Sequence, residues 1–582
     1  MVSEKHLKII STSLEGTLKE RCGDLLARIG KGHIVLSVVF FIDSTSPQSF
    51  LNDEKAIMDE CRSFFGKALP MVTCVAQKPL GVTLTAEVLY LSGDGMVEYA
   101  DDYLIIRSGR QKELITKGIR FPSEGGTAQQ SKAVFRRIGN ILSAEGLKTN
   151  EIVRQWNYIE DITGVKDGIQ NYQMFNDARS AFYSEVDWPD GYPAATGIGC
   201  AAGGVAVCVY AVKDAAKLSS PIDNPIQIPA HKYSNRVLAS GCEEIKTTPK
   251  FERARLLDDT VLISGTAAIK GEDSEISSDP SLQAKAAIEV VESLTAPGNI
   301  RRGNRRFKFN SLRVYIKREQ DAEAIINTLT AHWASVPMHF MMADICRPEL
   351  LLEIEGTGSA ARFLECCCTD AEEAAEAQAG GAGRIELCED LPCGGVTPSR
   401  GNIEATLSAV TIPVNVLVRP RGGDFVYGEA EVESMLEDIK MCVELGVNGL
   451  VIGALNRDGS IDTATMRRLI EGADGLQITF HRAFDECADP FTALEDIIGL
   501  GCHRLLTAGH ASSVNIGAET LQKLNSKANG RIVIMAGSGV RPGNIASLEV
   551  STGISEFHSS SHGPNGRTDR KVVSEMTHVI GR

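Results

Sequence analysis

The chain has 582 residues, 43% hydrophobic and 23% charged, with a formal net charge of -15. That length exceeds one ordinary hydrophobic core and calls for several domains. The acidic balance, with no long basic run, argues against nucleic acid or an anionic membrane as a partner. The N-terminal stretch MVSEKHLKIISTSLEGTLKERCGD has no apolar leader region, and no stretch approaches a membrane span, so a cytoplasmic protein is expected. The 15 cysteines are odd in number, scattered and free of any CxxC pair. They read as reduced, mostly buried thiols, not as a disulfide framework or a zinc ribbon.

In chain order, the first signal is a repeat. His33 to Pro79, HIVLSVVFFIDSTSPQSFLNDEKAIMDECRSFFGKALPMVTCVAQKP, reads as a strand, a helix with apolar spacing and a second strand. Ser311 to Gly356, SLRVYIKREQDAEAIINTLTAHWASVPMHFMMADICRPELLLEIEG, has the same order. Each copy carries an apolar strand to a basic residue plus proline, Lys78-Pro79 and Arg347-Pro348. Two such copies predict two α+β modules, placed at 1–150 and 151–357. The second copy offers Arg347, whose guanidinium fork suits a carboxylate, and Glu353, a candidate general acid or base. The first copy lacks the LEIE spacing and reads as scaffold.

VYIK, the helix and PMHFMMADICRPELLLEIE resemble the core of the Rid (YjgF) family. WNYIEDI, NYQMFNDARSAF, YPAATGIGC, NPIQIPAHKYS, FERARLL and LISGTAAIKGEDS resemble the chorismatases, two-repeat relatives of Rid proteins, over Asp101 to Gly356. The resemblance implies hydrolysis of chorismate with release of pyruvate and no cofactor. It makes Glu353 the proton donor and Arg347 the carboxylate holder, with Arg179, Arg253 and Tyr233 in the matching motifs as further substrate-binding residues. Cys346 stands seven residues before Glu353, as in the subgroup that forms 3-hydroxybenzoate. Rid-type deamination of enamines or imines, using the same arginine, is the alternative. Rid-like modules associate into trimers, so the resemblance also implies a homo-oligomer.

The small, polar run in EIEGTGSAAR marks a linker at 358–361. Beyond it come eight short strand candidates: RFLECC, RIELC, VNVLVRP, GLVIGAL, QITFHRA, RLLTAG, RIVIMAGSG and EFHSSS. Helical patterns separate them, and eight such units predict a (β/α)8 barrel over 362–582. The last helix is short, so imperfect closure is expected. A doubly wound open sheet would lack the GxGxxG opening of its dinucleotide-binding form. The whole chain is thus expected to combine α/β and α+β folds: two tandem Rid-like α+β modules followed by a (β/α)8 TIM barrel.

Period-two alternation assigns the barrel faces. Leu364, Cys366, Ile385 and Leu387 take the helix side. Glu365, Cys367, Glu386, Cys388, Arg419, His481, Glu556 and His558 point inward, and Cys368 begins a loop. Inward carboxylates, histidines and an arginine at the C-terminal strand ends suit an anionic or polar small molecule. The order LECC, AQAGGAGRIELCED, GGVTPS, VLVRPRGGDFVY, GLVIGAL, DGSID, TFHRAFDECADP, LLTAGH, GRIVIMAGSGV, EFHSSS resembles the CutC copper homeostasis family from Arg362 to Arg582. It implies a TIM barrel, a cytoplasmic location and copper, with Cys367 and Cys388 as the copper-binding thiols. Two thiolates suit Cu(I). A barrel enzyme without a copper role, with Arg419 as anion clamp and His481 or Glu386 as acid/base, is the alternative.

Overall fold

The computed structural model describes residues 5–30, 33–92, 95–109, 111–234, 247–274, 277–296, 299, 307–360, 362–529 and 531–580. They belong to two compact units, one of Met1–Asn299 with Phe307–Ala360, the other built on Ala361–Arg582. No described helix is long and apolar enough to cross a membrane.

Three times in the first unit the chain runs strand, helix, strand, strand. The first copy is β1 (Ile34–Ile42), α1 (Pro47–Phe65), β2 (Met71–Ala76) and β3 (Leu84–Leu91). The second is β4 (Ile152–Glu160), α2 (Asn171–Tyr183), β5 (Ala194–Cys200) and β6 (Val205–Val212). The third is β7 (Phe307–Ile316), α3 (Ala322–His332), β8 (Met338–Met342) and β9 (Leu352–Ala360). In each copy the opening strand lies parallel to the strand after the helix and antiparallel to the last strand. The sequence punctuates these elements locally. Ser46 caps α1 by accepting from the Ser49 amide, and Pro47 occupies the first turn, where no donor is lost.

Register makes the three copies equivalent. Phe41 pairs with Val75 and Thr85, Tyr158 with Ile198 and Ala206, and Tyr315 with Met341 and Glu353. Phe41, Tyr158, Tyr315, Val75, Ile198 and Met341 meet in one buried cluster. The sheets also touch edge to edge, through the bridges Pro79 to Met341 and Ile198 to Ile345 and through the Ala201 amide donating to the Ala76 carbonyl.

The expected pair of modules is therefore laid out as three large sheets, beside two two-stranded ones. The middle, seven-stranded one reaches from Met96–Tyr99 to Val205–Val212, across position 150. The repeat read from the sequence compares the first and third. The middle copy was hidden because β4 buries polar Arg154, Gln155 and Asn157 among its apolar residues, which breaks both an apolar run and a clean alternation. The glycines taken for a linker also have another role. Gly356 and Gly358 lie within β9, and a Cβ at 356 would collide with the Ser311 carbonyl, so glycine there permits close strand approach. Position 361 lies outside the described residues.

The second unit contains all eight expected strands: β10 (Phe363–Cys368), β11 (Arg384–Leu387), β12 (Val414–Leu417), β13 (Gly449–Ile452), β14 (Gln477–Phe480), β15 (Arg504–Thr507), β16 (Val533–Ala536) and β17 (Glu556–Ser559). They are parallel and form a closed barrel, with β17 pairing back onto β10. Closure is thus complete. The last helix, Arg570–Ile580, buries Val573, Met576 and Ile580 at helical spacing, which suffices to cover the seam. Leu364, Cys366, Ile385 and Leu387 pack into the outer core beneath the helices. Cys368 corrects the sequence reading: it ends β10, is fully buried and belongs to this same outer core. Two residues on from Cys366, it keeps the same face.

Candidate functional sites

The pocket of the first unit lies between the second and third copies. Gln170, Tyr172 and Asn176 of the α2 segment form one wall; Cys346, Arg347 and Glu353 form the opposite one. Tyr233, Phe251 and Arg253 complete it. β9 positions Glu353 opposite Tyr315, and a Cβ at Gly265 would collide with the Glu353 carboxylate, so that glycine makes room for it. Burial, reinforced by nearby Glu355, raises the Glu353 carboxyl to about 8. It is therefore protonated at neutral pH.

Cationic groups face this acid. Arg253 donates to Tyr233 and to the Ile228 carbonyl at 2.8 Å. Arg347 donates to the Glu272 carbonyl at 2.9 Å and to Ser274 at 3.1 Å. Both guanidiniums stand over the Tyr233 ring, 5.3 and 5.4 Å from its centroid. Arg253 Nε is buried without a hydrogen-bond partner. Cys346 sits in the same wall, its thiol pushed up to about 12 by burial and by Glu353. It is a neutral thiol and not a thiolate nucleophile.

Of the expected substrate-binding residues, Arg179 is the one not in the lining. It is buried behind the wall and donates to Asn176 at 2.6 Å. It therefore positions Asn176. Tyr172 and Asn176 were not singled out from the sequence, although with Arg179 they stand at spacings of four and three along α2, one helix face.

Glu355, on the same face of β9 as Glu353, is anchored where the three sheets meet. It accepts from Arg154, Thr196 and, at 2.7 Å, Tyr315; Arg313 pairs with it at 2.7 Å and with Glu87 as well. By register Glu87 is the first copy's counterpart of Glu355, and Thr85 and Ala206 stand where the third copy has Glu353. Only the third copy carries an acid at that position.

Inside the barrel a polar belt crosses the floor. Glu365 accepts from Arg384, which also pairs with Glu556 at 3.0 Å, and Arg504 reaches Glu556 at 3.0 Å. Arg384 and Arg504 were not singled out, though alternation places both on the inward side. Above the belt, Cys367 Sγ and Cys388 Sγ are 3.5 Å apart, and Leu417 and Val451 pack against them. His558 Nδ1 lies 2.9 Å from Glu365 and 3.7 Å from Glu386. Burial opposes the His558 charge, but Glu386 and Glu365 outweigh it and raise the ring. Burial raises Glu386 to about 7, and its Oε2 has no hydrogen-bond partner. Burial pulls on Glu365 too, but Arg384 and His558 hold it at about 2. The Cys367 thiol is raised well above its ordinary value by Cys388 and by burial.

Arg419 and His481 are inward as expected but engaged differently. Arg419 donates to the carbonyls of Gly395 at 3.2 Å and Gly423 at 2.6 Å, which ties down its guanidinium as a loop clamp. His481 is lowered to about 3 by burial and by Arg419, so it is neutral and a poor base at pH 7.

The second unit is thus a (β/α)8 barrel with a thiol, carboxyl and imidazole cluster inside. The CutC family model matches residues 362–563. A family protein CutC of Parabacteroides distasonis is 54% identical over 201 residues, 34% of this chain and 82% of the relative. One of Xylella fastidiosa is 50% identical over 197 residues, 34% of this chain and 74% of the relative. Through its second unit the chain belongs to the CutC family. The first unit carries a match to the model described as Chorismatase FkbO/Hyg5-like, N-terminal, over 92–211, the span of the middle sheet. A crystal structure of a chorismatase, 20% identical, covers 61% of this chain and 99% of its own, with a TM-score of 0.47.

Proposed function

We propose that the first unit hydrolyses the enol ether of chorismate, with Glu353 as the acid. The observation that carries this is a buried, protonated carboxyl facing two guanidiniums across one pocket. Arg253 and Arg347 offer forks for the carboxylates of a dianionic substrate. Glu353 gives its proton to the methylene carbon of the side chain, leaving an oxocarbenium ion. Water adds there, the hemiketal collapses to pyruvate and the ring hydroxyl, and the proton returns to Glu353. Loss of a ring hydroxyl as water then gives 3-hydroxybenzoate, so the water taken up at the side chain is balanced by the one released. The neutral Cys346 thiol in the pocket wall supports this aromatic outcome. The test is incubation with chorismate and chromatography of the products, beside Glu353→Gln. Equal pyruvate yield from both proteins would sink the reading. Release of ammonia from an imino acid, with chorismate untouched, would favour Rid-type deamination.

For the barrel we propose metal binding through Cys367 and Cys388, in keeping with the copper homeostasis role of its family. The observation favouring it is the pair of buried sulfurs 3.5 Å apart. Thiolates are the donors that soft Cu(I) selects. Cu(I) titration against a chromophoric competitor should lose one equivalent in the Cys367→Ser/Cys388→Ser protein.

A further inference from the structure

The geometry points to a mixed-donor metal site in the barrel: Glu386 and His558 join Cys367 around one divalent ion of the zinc class, with Cys388 beside them. This rests on the reading of the two cysteines as ligands and extends it. Donor atoms of Cys367, Glu386 and His558 all lie within 4.8 Å of one another, and Cys388 Sγ is 3.5 Å from Cys367 Sγ. Among the described residues the trio of Cys367, Glu386 and His558 is the one cluster of its kind.

The donor set points to the class of ion: a sulfur, an imidazole and a carboxylate suit a borderline ion better than a purely soft one.

The surroundings are those of a built site. Glu386 is 6% exposed and its Oε2 has no hydrogen-bond partner, which is costly unless an ion or ligand completes it. Glu365 fixes the His558 ring through Nδ1 at 2.9 Å and is itself held by Arg384, the carboxylate–histidine arrangement that orients metal-binding imidazoles. Leu417 and Val451 close the apolar side beside the sulfurs.

The probe is Co(II), with Zn(II) in competition. The full-length protein is expected to take up one Co(II) with thiolate charge-transfer absorption and the visible bands of a tetrahedral ion. Glu386→Gln and His558→Gln should each weaken Co(II) and Zn(II) binding at least about tenfold. X-ray absorption of the zinc-loaded wild type should show sulfur together with nitrogen or oxygen neighbours, a readout that needs no variant to fold. A sulfur-only shell, the absence of charge-transfer bands, or unchanged affinity in both variants would overturn the mixed-donor site. Failure of the two-cysteine reading is seen separately, as Cu(I) uptake undiminished in Cys367→Ser/Cys388→Ser.

Discussion

An acid that is to protonate an enol ether needs its proton in place at neutral pH, and burial gives the Glu353 carboxyl that state. The carboxyl titrates near 8, so turnover should be flat through neutrality and fall as pH rises through about 8. Glu353→Gln cannot donate, and kcat should drop about 10²–10⁴-fold with the pocket otherwise intact. The same group ties stability to pH. Its folded pKa lies above its unfolded value, so the native state holds the proton more tightly. That contribution is fully present below the unfolded pKa of about 4.3 and is lost as pH rises through 8. The thermal midpoint of Glu353→Gln relative to wild type should therefore be higher at pH 9 than at pH 5, and a pH-independent difference would contradict the buried-acid assignment. Gly265 belongs to the same argument: Gly265→Ala would displace the carboxylate and should lower kcat, measured on chorismate, while the fold survives.

Strand alternation sorted the barrel residue by residue. Leu364 and Cys366 face the helices, and Glu365 and Cys367 face inward; Cys368, expected to begin a loop, instead keeps the helix side. The two faces predict opposite variants. Leu364→Ala empties a site that is 1% exposed and should cost about 2–5 kcal/mol in denaturant unfolding without changing metal stoichiometry. Cys367→Ser should do the reverse. The barrel was legible because its helix-side residues are apolar while many of its inward ones, such as Glu365, Glu386 and His558, are polar, a contrast that period two exposes. The first unit was less so. β4 is buried on both faces and carries no alternation, and Gly356 and Gly358 look like a linker although they serve close strand contact. Glu353, Arg347, Arg253 and Tyr233 were found because their motifs are contiguous in sequence. Tyr172 and Asn176 enter the pocket from a helix more than 150 residues upstream of Glu353, a juxtaposition only the fold supplies.

At the scale of the whole chain, each site is enclosed in one unit. The acid pocket draws every lining residue from Gln170 to Glu353, and the metal-ligand candidates run from Cys367 to His558. Each unit has its own closed hydrophobic core, which is the physical requirement for independent folding. Calorimetry of the intact protein should then resolve two transitions that respond to different perturbations. Zn(II) at about one hundred times its dissociation constant stabilises only the state that binds it, by about 2.7 kcal/mol, and should raise one transition. Glu353→Gln should shift the other at pH 9 and leave the zinc-sensitive one in place. Residues 362–582 produced alone should reproduce the zinc-sensitive transition at the same midpoint. A single transition that answers to both the metal and the Glu353 substitution would show instead that the two cores unfold as one cooperative body, and would make each site's occupancy a determinant of the other's stability.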